Sequence, residues 1–250
     1  MQALLTLTRR ELGTFFVSFT GYVIIAAATF LVGLSFIVLL TKLGTDASPM
    51  PVTEMFYSTY FFWLVLLLAA PIITMRLFAL EKYSGTFETL MTTPVRDLHV
   101  VLAKFMAAMV FYLVMWLPML GCLALVQRYS SQPGGLDWGA VGSTYLGIFL
   151  LGGLFLSVGC FASALTRSQM VAAMVTLVLG VTLFSLGFLA DQIPAAGAWP
   201  AQLLSRFALF QQMHDFARGV VDTRTIVVYV SLTVFFLFLT LRAIESRRWK

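Results

Sequence analysis

Two histidines, two cysteines and eleven Asp or Glu residues are the groups in this 250-residue chain from which acid–base, nucleophilic or metal chemistry would be built. Their spacing builds none of it. His99 and His214 are isolated and read as interface residues, not as catalysts or ligands. Cys122 and Cys160 fall inside apolar runs with no partner at metal-binding spacing, so both read as small packing hydrophobes. No G-x-x-x-x-G-K-[ST] stretch is present to cradle a nucleotide phosphate. H-E-x-x-H and G-x-S-x-G are also missing. The chain is therefore expected not to be an enzyme and to hold no catalytic residue, metal or cofactor of its own. Any energy source must reside in another polypeptide.

The polar residues that do cluster lie in 76–104, R-L-F-A-L-E-K-Y-S-G-T-F-E-T-L-M-T-T-P-V-R-D-L-H-V-V-L-A-K, the most polar stretch of the sequence. Ser84, Gly85 and Thr86 are expected to break the preceding helix. Residues 87–91 can form a short helix with Thr86 placed to cap it. Thr93-Pro94 ends that helix, because the residue before proline disfavours the helical region. Asp97 can cap a new helix running through Lys104 into the next apolar segment. A short helix held between two long ones is compact, and the long helix before it can transmit a push directly. The plainer alternative is a solvated loop in which Glu81, Lys82 and Glu88 make an internal ion pair worth under about 1 kcal/mol.

The elements around this stretch are set by composition. Hydrophobic residues make up 60% of the chain and charged residues 11%, where soluble domains carry about 25% charged residues. The mean hydropathy is +0.93. A bilayer accepts such helices and water does not. Six segments reach the roughly 20 apolar residues that a span requires: 20–41, 57–75, 105–126, 138–166, 168–190 and 225–241. None contains Asp, Glu, Lys, Arg or His. Ion-coupled carriers place ionisable groups inside their spans, so this pattern argues against a secondary transporter or channel. No cleavable signal peptide is expected, and the first span is expected to be retained. Before it, residues 1–19 place Leu5, Leu12, Phe16 and Phe19 on one helical face with Arg9 and Arg10 elsewhere, which predicts a helix lying in the interface.

Loop charge sets the expected orientation. With the N-terminus inside, the cytoplasmic segments hold eleven basic and five acidic residues, and the external segments hold five and six. That is a net +6 inside and −1 outside. The basic balance thus reflects topology and gives no support to nucleic-acid binding, since no basic run with aromatic interleaving occurs. Both termini are expected in the cytoplasm, with the chain in a bacterial inner membrane. The last external loop, 191–224, carries an amphipathic stretch (Leu203, Leu204, Phe207, Phe210 and Phe216 against Gln202, Arg206, Gln211, Asp215 and Arg218). It predicts one or two short helices at the outer leaflet, there either to pack on the spans or to line a path. Gly152, Gly153 and Gly159, with Ser157 and Ala164, mark close helix packing, within the chain or across a dimer. The predicted fold is all-α integral membrane, six transmembrane helices with an N-terminal amphipathic interface helix, in a single domain over 1–250.

The pattern E-K-x-x-G-T-x-E-x-L-x-x-x-P-V followed by V-L-A-K resembles the loop after the second span in ABC-2 type transporter permeases. The interface helix, the six-span layout, the long last external loop and the E-S-R-R-W tail extend the resemblance over the whole chain. F-A-R-G-V-V-D-T-R at 216–224 together with that tail is most similar to the gliding-motility-associated (Gld F-like) branch. The resemblance implies an ABC-2 (type V exporter-like) permease fold that pairs with a second permease, as a homodimer or with a related chain. It implies a separate ATPase subunit that binds ATP and Mg on the cytoplasmic side. The 76–104 stretch is then the coupling loop, with Glu81, Lys82, Gly85, Thr86, Glu88, Thr89, Leu90 and Pro94 at the ATPase, Glu81 and Glu88 as ionic contacts and Gly85 allowing the tight turn. Arg9, Arg10 and Glu11 belong to the connecting (elbow) helix. Export or extraction of a lipid-linked, amphipathic or polymeric substrate is the expected function. The alternative is a mechanotransmission or assembly scaffold acting on a periplasmic-domain partner without moving a solute.

Overall fold

The computed structural model describes residues 2–45, 52–86, 96–129, 137–192 and 208–246. Every regular element among them is a helix: α1 (Gln2–Val17), α2 (Phe19–Thr45), α3 (Val52–Tyr57), α4 (Tyr60–Thr74), α5 (Ala79–Ser84), α6 (Asp97–Tyr129), α7 (Trp138–Leu165), α8 (Gln169–Gln192), α9 (Leu209–Ala217) and α10 (Thr223–Glu245). Six of these units are long and apolar enough to cross a bilayer: α2, α4 with α5, α6, α7, α8 and α10. Large apolar side chains such as Phe30, Ile37, Met174, Val178, Val227 and Val234 stand exposed along α2, α8 and α10. Hydrocarbon solvates such surfaces and water does not, so the chain is a multi-pass membrane protein.

α7 forms the centre. It packs on α10, α8, α4, α9 and α6. Its most apolar stretch is 83% buried, against 11% for α10. Small residues let the neighbours close in. A Cβ on Gly159 would lie 2.1 Å from the Thr74 hydroxyl of α4, and one on Gly152 would lie 2.2 Å from the Tyr112 ring of α6. The glycine stripe therefore serves packing within the chain.

α1 turns into α2 at Ser18, whose carbonyl accepts from the Gly21 N–H at 3.0 Å. The predicted apolar face of α1 is divided. Phe15 and Phe16 pack on Phe111 of α6, with centroids 5.0 and 5.5 Å away. Leu5 and Phe19 are exposed, and Phe19 belongs to α2.

The second span departs from the sequence expectation at both ends. It begins at Tyr60, because Ser58 and Thr59 interrupt the chain after the separate helix α3. Thr59 is extended, and its hydroxyl lies 2.5 Å from both the Ser35 hydroxyl and the Phe56 carbonyl. The far end breaks twice. The expected break at Ser84–Thr86 is present at Gly85, with φ at 75°. An earlier one falls between Thr74 and Ala79. There the N–H groups of Phe78 and Ala79 leave the helix ladder and donate to the Ser163 hydroxyl of α7, each at 3.1 Å. A side-chain acceptor from a neighbouring helix thus satisfies the first donors of α5. Asp137 and Asp222 cap α7 and α10, each accepting a backbone N–H at 2.8 Å.

Candidate functional site

The cluster with the most chemistry lies at one end of the bundle, where the basic segments predicted to be cytoplasmic gather. Lys104, two turns into α6, is buried to 2% exposure. Its ammonium donates to Glu81 Oε1 of α5 at 2.7 Å and to Glu11 Oε2 of α1 at 3.1 Å. The Phe78 ring lies 5.6 Å below it. Arg10 approaches Glu11 Oε1 at 3.5 Å. A buried ammonium is tolerated only with close opposite charge, and here two carboxylates supply it. Three helices remote in sequence are thereby tied at one point.

α5 is held from a second side as well. The Lys82 ammonium donates to the Ala164 carbonyl at the end of α7. The last carbonyls of a helix lack intrahelical partners and carry its negative pole, so a lysine is favoured there. Tyr83, Ser84, Gly85 and Thr86, by contrast, are exposed. The Ser84 and Thr86 hydroxyls meet at 2.8 Å around the Gly85 turn.

The sequence-derived residues separate accordingly. Glu81 and Lys82 turn into the protein, while Gly85 and Thr86 face outward. Glu11 is buried at 8%, and Arg9 is exposed. Glu88, Thr89, Leu90 and Pro94 lie outside the described residues, as does the predicted helix over 87–91. The internal ion pair weighed in the sequence for Glu81 and Lys82 differs from the one that forms. Glu81 pairs with Lys104 in a buried setting, not with its chain neighbour on a solvated loop. Ser163 and the coupling of Lys104 to two carboxylates were not legible beforehand. The one available signal was a lone lysine at the threshold of an apolar run.

A second polar cluster closes the opposite end. Glu54 of α3 is 4% exposed. It accepts from Arg218 twice, Nε to Oε2 at 2.9 Å and Nη2 to Oε1 at 3.0 Å. His214 Nε2 lies 2.9 Å from Oε1. Thr53 donates to the Ala217 carbonyl at 2.7 Å, and Ser143 of α7 donates to the Phe216 carbonyl at 2.6 Å. The Arg218 hydrogen bonds hold the Glu54 carboxyl below the usual carboxylate range against the opposing effect of burial. Burial, with Glu54 nearby, pushes the Tyr57 phenol up.

His214 is therefore not isolated, which corrects the sequence reading. Its spacing of four from Arg218 on one helical face was the available signal. The amphipathic stretch predicted in 191–224 includes α9, whose Leu209, Met213 and Phe216 are buried against the bundle. Leu203, Leu204 and Phe207 lie outside the described residues.

Among the described residues no group of three or more His, Cys, Asp or Glu is arranged to hold a metal ion. Neither cluster sets a nucleophile beside a base. Both join elements, and the first ends in an exposed, glycine-hinged turn. Compared with known families, residues 18–183 match the family described as ABC-2 family transporter protein. The match takes in α2 to most of α8, including α5, Gly85 and Lys104. No curated protein matches the chain.

Proposed function

The chain belongs to the ABC-2 family of transporter proteins, the permease subunits of ABC transporters, and from that premise we propose that it exports or extracts a substrate using ATP hydrolysed by a separate subunit seated on the 76–104 segment. The basic end is cytoplasmic in this reading, with both termini there, as loop charge favours. The membrane is the bacterial inner membrane. A second permease, identical or related, completes the path. Within the family, the 216–224 stretch and the tail from Glu245 favour the gliding-motility-type branch.

The observation that supports the reading most is the mounting of α5. Glu81, Lys82 and the Ser163 contacts anchor it to α1, α6 and α7. Immediately beyond it, the Gly85 turn is exposed. A force applied past Gly85 by an ATPase reaches three helices, two of them spans, through short polar contacts instead of dissipating in a loose loop. Glu81 acts in this scheme as the internal anchor, and Thr86, Glu88, Thr89, Leu90 and Pro94 meet the partner.

The test is co-purification of the full chain from native membranes, followed by ATPase measurement on what is recovered. An ATP-hydrolysing subunit recovered in fixed ratio is the expected result. Its consistent loss under mild detergents that preserve the fold would sink the reading.

A further inference from the structure

A cleft of about 280 Å³ opens at the basic end, between α1, the start of α2, the end of α4, α5 and α6. It is too large for one or two waters, each of which takes about 30 Å³ in the liquid. One wall is apolar, with Phe15, Ile24, Ile72 and Leu80. The other carries Arg10, Arg76 and Lys104 with Glu11 and Glu81, three cations against two carboxylates.

Two atoms on the charged wall are buried without a hydrogen-bond partner, Arg76 Nε and Glu81 Oε2. Each belongs to a group whose other atom is committed. Arg76 Nη1 donates to Thr20 Oγ1 at 2.6 Å, and Glu81 Oε1 accepts from Lys104. Buried polar atoms are almost always paired, so a spare donor and a spare acceptor on two residues that line one cleft call for a partner with an acceptor and a donor of its own. The surplus positive charge calls for a single negative one. An arginine fork suits a phosphate oxygen. The apolar wall continues outward along α2 and α4, where Val23, Leu68 and Ile72 are exposed. A ligand held here has a path for acyl chains.

The geometry points to a binding site for an anionic phospholipid whose headgroup alcohol bears a free hydroxyl. The phosphodiester sits on Arg76 and Arg10, and the hydroxyl donates to Glu81 Oε2. The lipid wedges α1 against α2 and α4 beside the Glu11–Lys104–Glu81 cluster. This needs only that the chain lies in a bilayer and stands apart from the transport reading.

The full chain, delipidated in a neutral detergent, is mixed with phosphatidylglycerol, with phosphatidylcholine or with soluble glycerol 3-phosphate. Retained lipid is read by native mass spectrometry and thermal stability by melting. Phosphatidylglycerol is expected to remain bound one per chain and raise the melting midpoint. Phosphatidylcholine, which has no donor for Glu81, should be retained about tenfold less. Arg76→Gln should lose the preference, and Arg167→Gln, a basic residue outside the cleft, should keep it. If Arg76→Gln does not fold, Leu80→Trp fills the cleft with its charges intact and should displace the lipid. Equal retention of both lipids, or unchanged selectivity in the folded variants, overturns the site. Stabilisation by glycerol 3-phosphate equal to that by phosphatidylglycerol overturns its assignment to lipid.

Discussion

Lys104 lies between carboxylates from two helices, and its burial makes the arrangement sensitive to single substitutions. Removing the buried ammonium leaves the Glu11 and Glu81 carboxylates side by side with no opposite charge between them, and breaking a buried pair of this kind costs about 3–5 kcal/mol. Lys104→Met is therefore expected to lower the melting temperature in detergent sharply. The neutral triple variant Glu11→Gln, Lys104→Met, Glu81→Gln should recover most of the loss. A triple variant as unstable as the single one would show that the charges are not the source. The same contact bears on charge reversal at Glu81, which would break the internal anchor along with any partner contact. Glu88→Lys alone is the cleaner probe of docking.

The Glu54–Arg218 pair has a defined pH sign. Its carboxyl is held below the ordinary value, so its stabilisation is complete above the ordinary carboxylate range. It is lost as pH falls through that range toward the lowered value. The melting difference between the native chain and Glu54→Gln should shrink as pH falls below about pH 4. A difference that grows as pH falls below about pH 4 would contradict the assignment.

At the scale of the helices, closeness of approach decides what α7 tolerates. A Cβ on Gly159 would meet the Thr74 hydroxyl of α4 at 2.1 Å, whereas one on Gly142 of the same helix meets nothing within 4 Å. Gly159→Ala should destabilise by about 1–3 kcal/mol, the usual cost of overfilling a packed contact. Gly142→Ala should be neutral or slightly stabilising. Melting of the two variants side by side, with monodispersity followed by gel filtration, checks the contrast. Comparable effects would mean that the α4–α7 contact yields easily. The short helices α3, α5 and α9 obey a different logic. Each is under ten residues, too short to persist alone. Contacts from neighbouring elements hold them: the Ser163 hydroxyl for α5, and Glu54, Thr53 and Ser143 for the pairing of α3 with α9.

For the molecule as a whole, the two polar clusters sit at opposite ends of an apolar bundle, and orientation decides which one meets the ATPase. In a variant with Cys122 and Cys160 replaced by Ala, a cysteine at exposed Thr86 should react with an impermeant thiol reagent only in inverted vesicles. One at exposed Val221 should react only in right-side-out vesicles. The reverse pattern would place the coupling segment outside and remove the basis for the proposed function. Gly85→Val tests the hinge at the same scale. A side chain at φ 75° is strained by about 1–2 kcal/mol. Insertion should be normal, while ATPase stimulation in the assembled complex falls. Unchanged stimulation would separate the turn from coupling.

Six spans and a separate helix before the first of them were legible in the sequence, because an apolar run of about 20 residues has one low-energy environment. The Gly85 turn was legible for a similarly local reason, since the residue itself permits the conformation. The break after Thr74, the separate α3 and the partners of Glu81 and His214 were not. Apolar periodicity marks a helix as nonpolar without telling a face that meets lipid from one that meets protein. Lys104 finds Glu81 and Glu11 at separations of 23 and 93 residues, and Arg218 finds Glu54 across 164. Only packing brings such groups together, and once there the buried members, Lys104 and Glu54, must pair. Both polar clusters and the cleft beside Lys104 were therefore decided by tertiary structure.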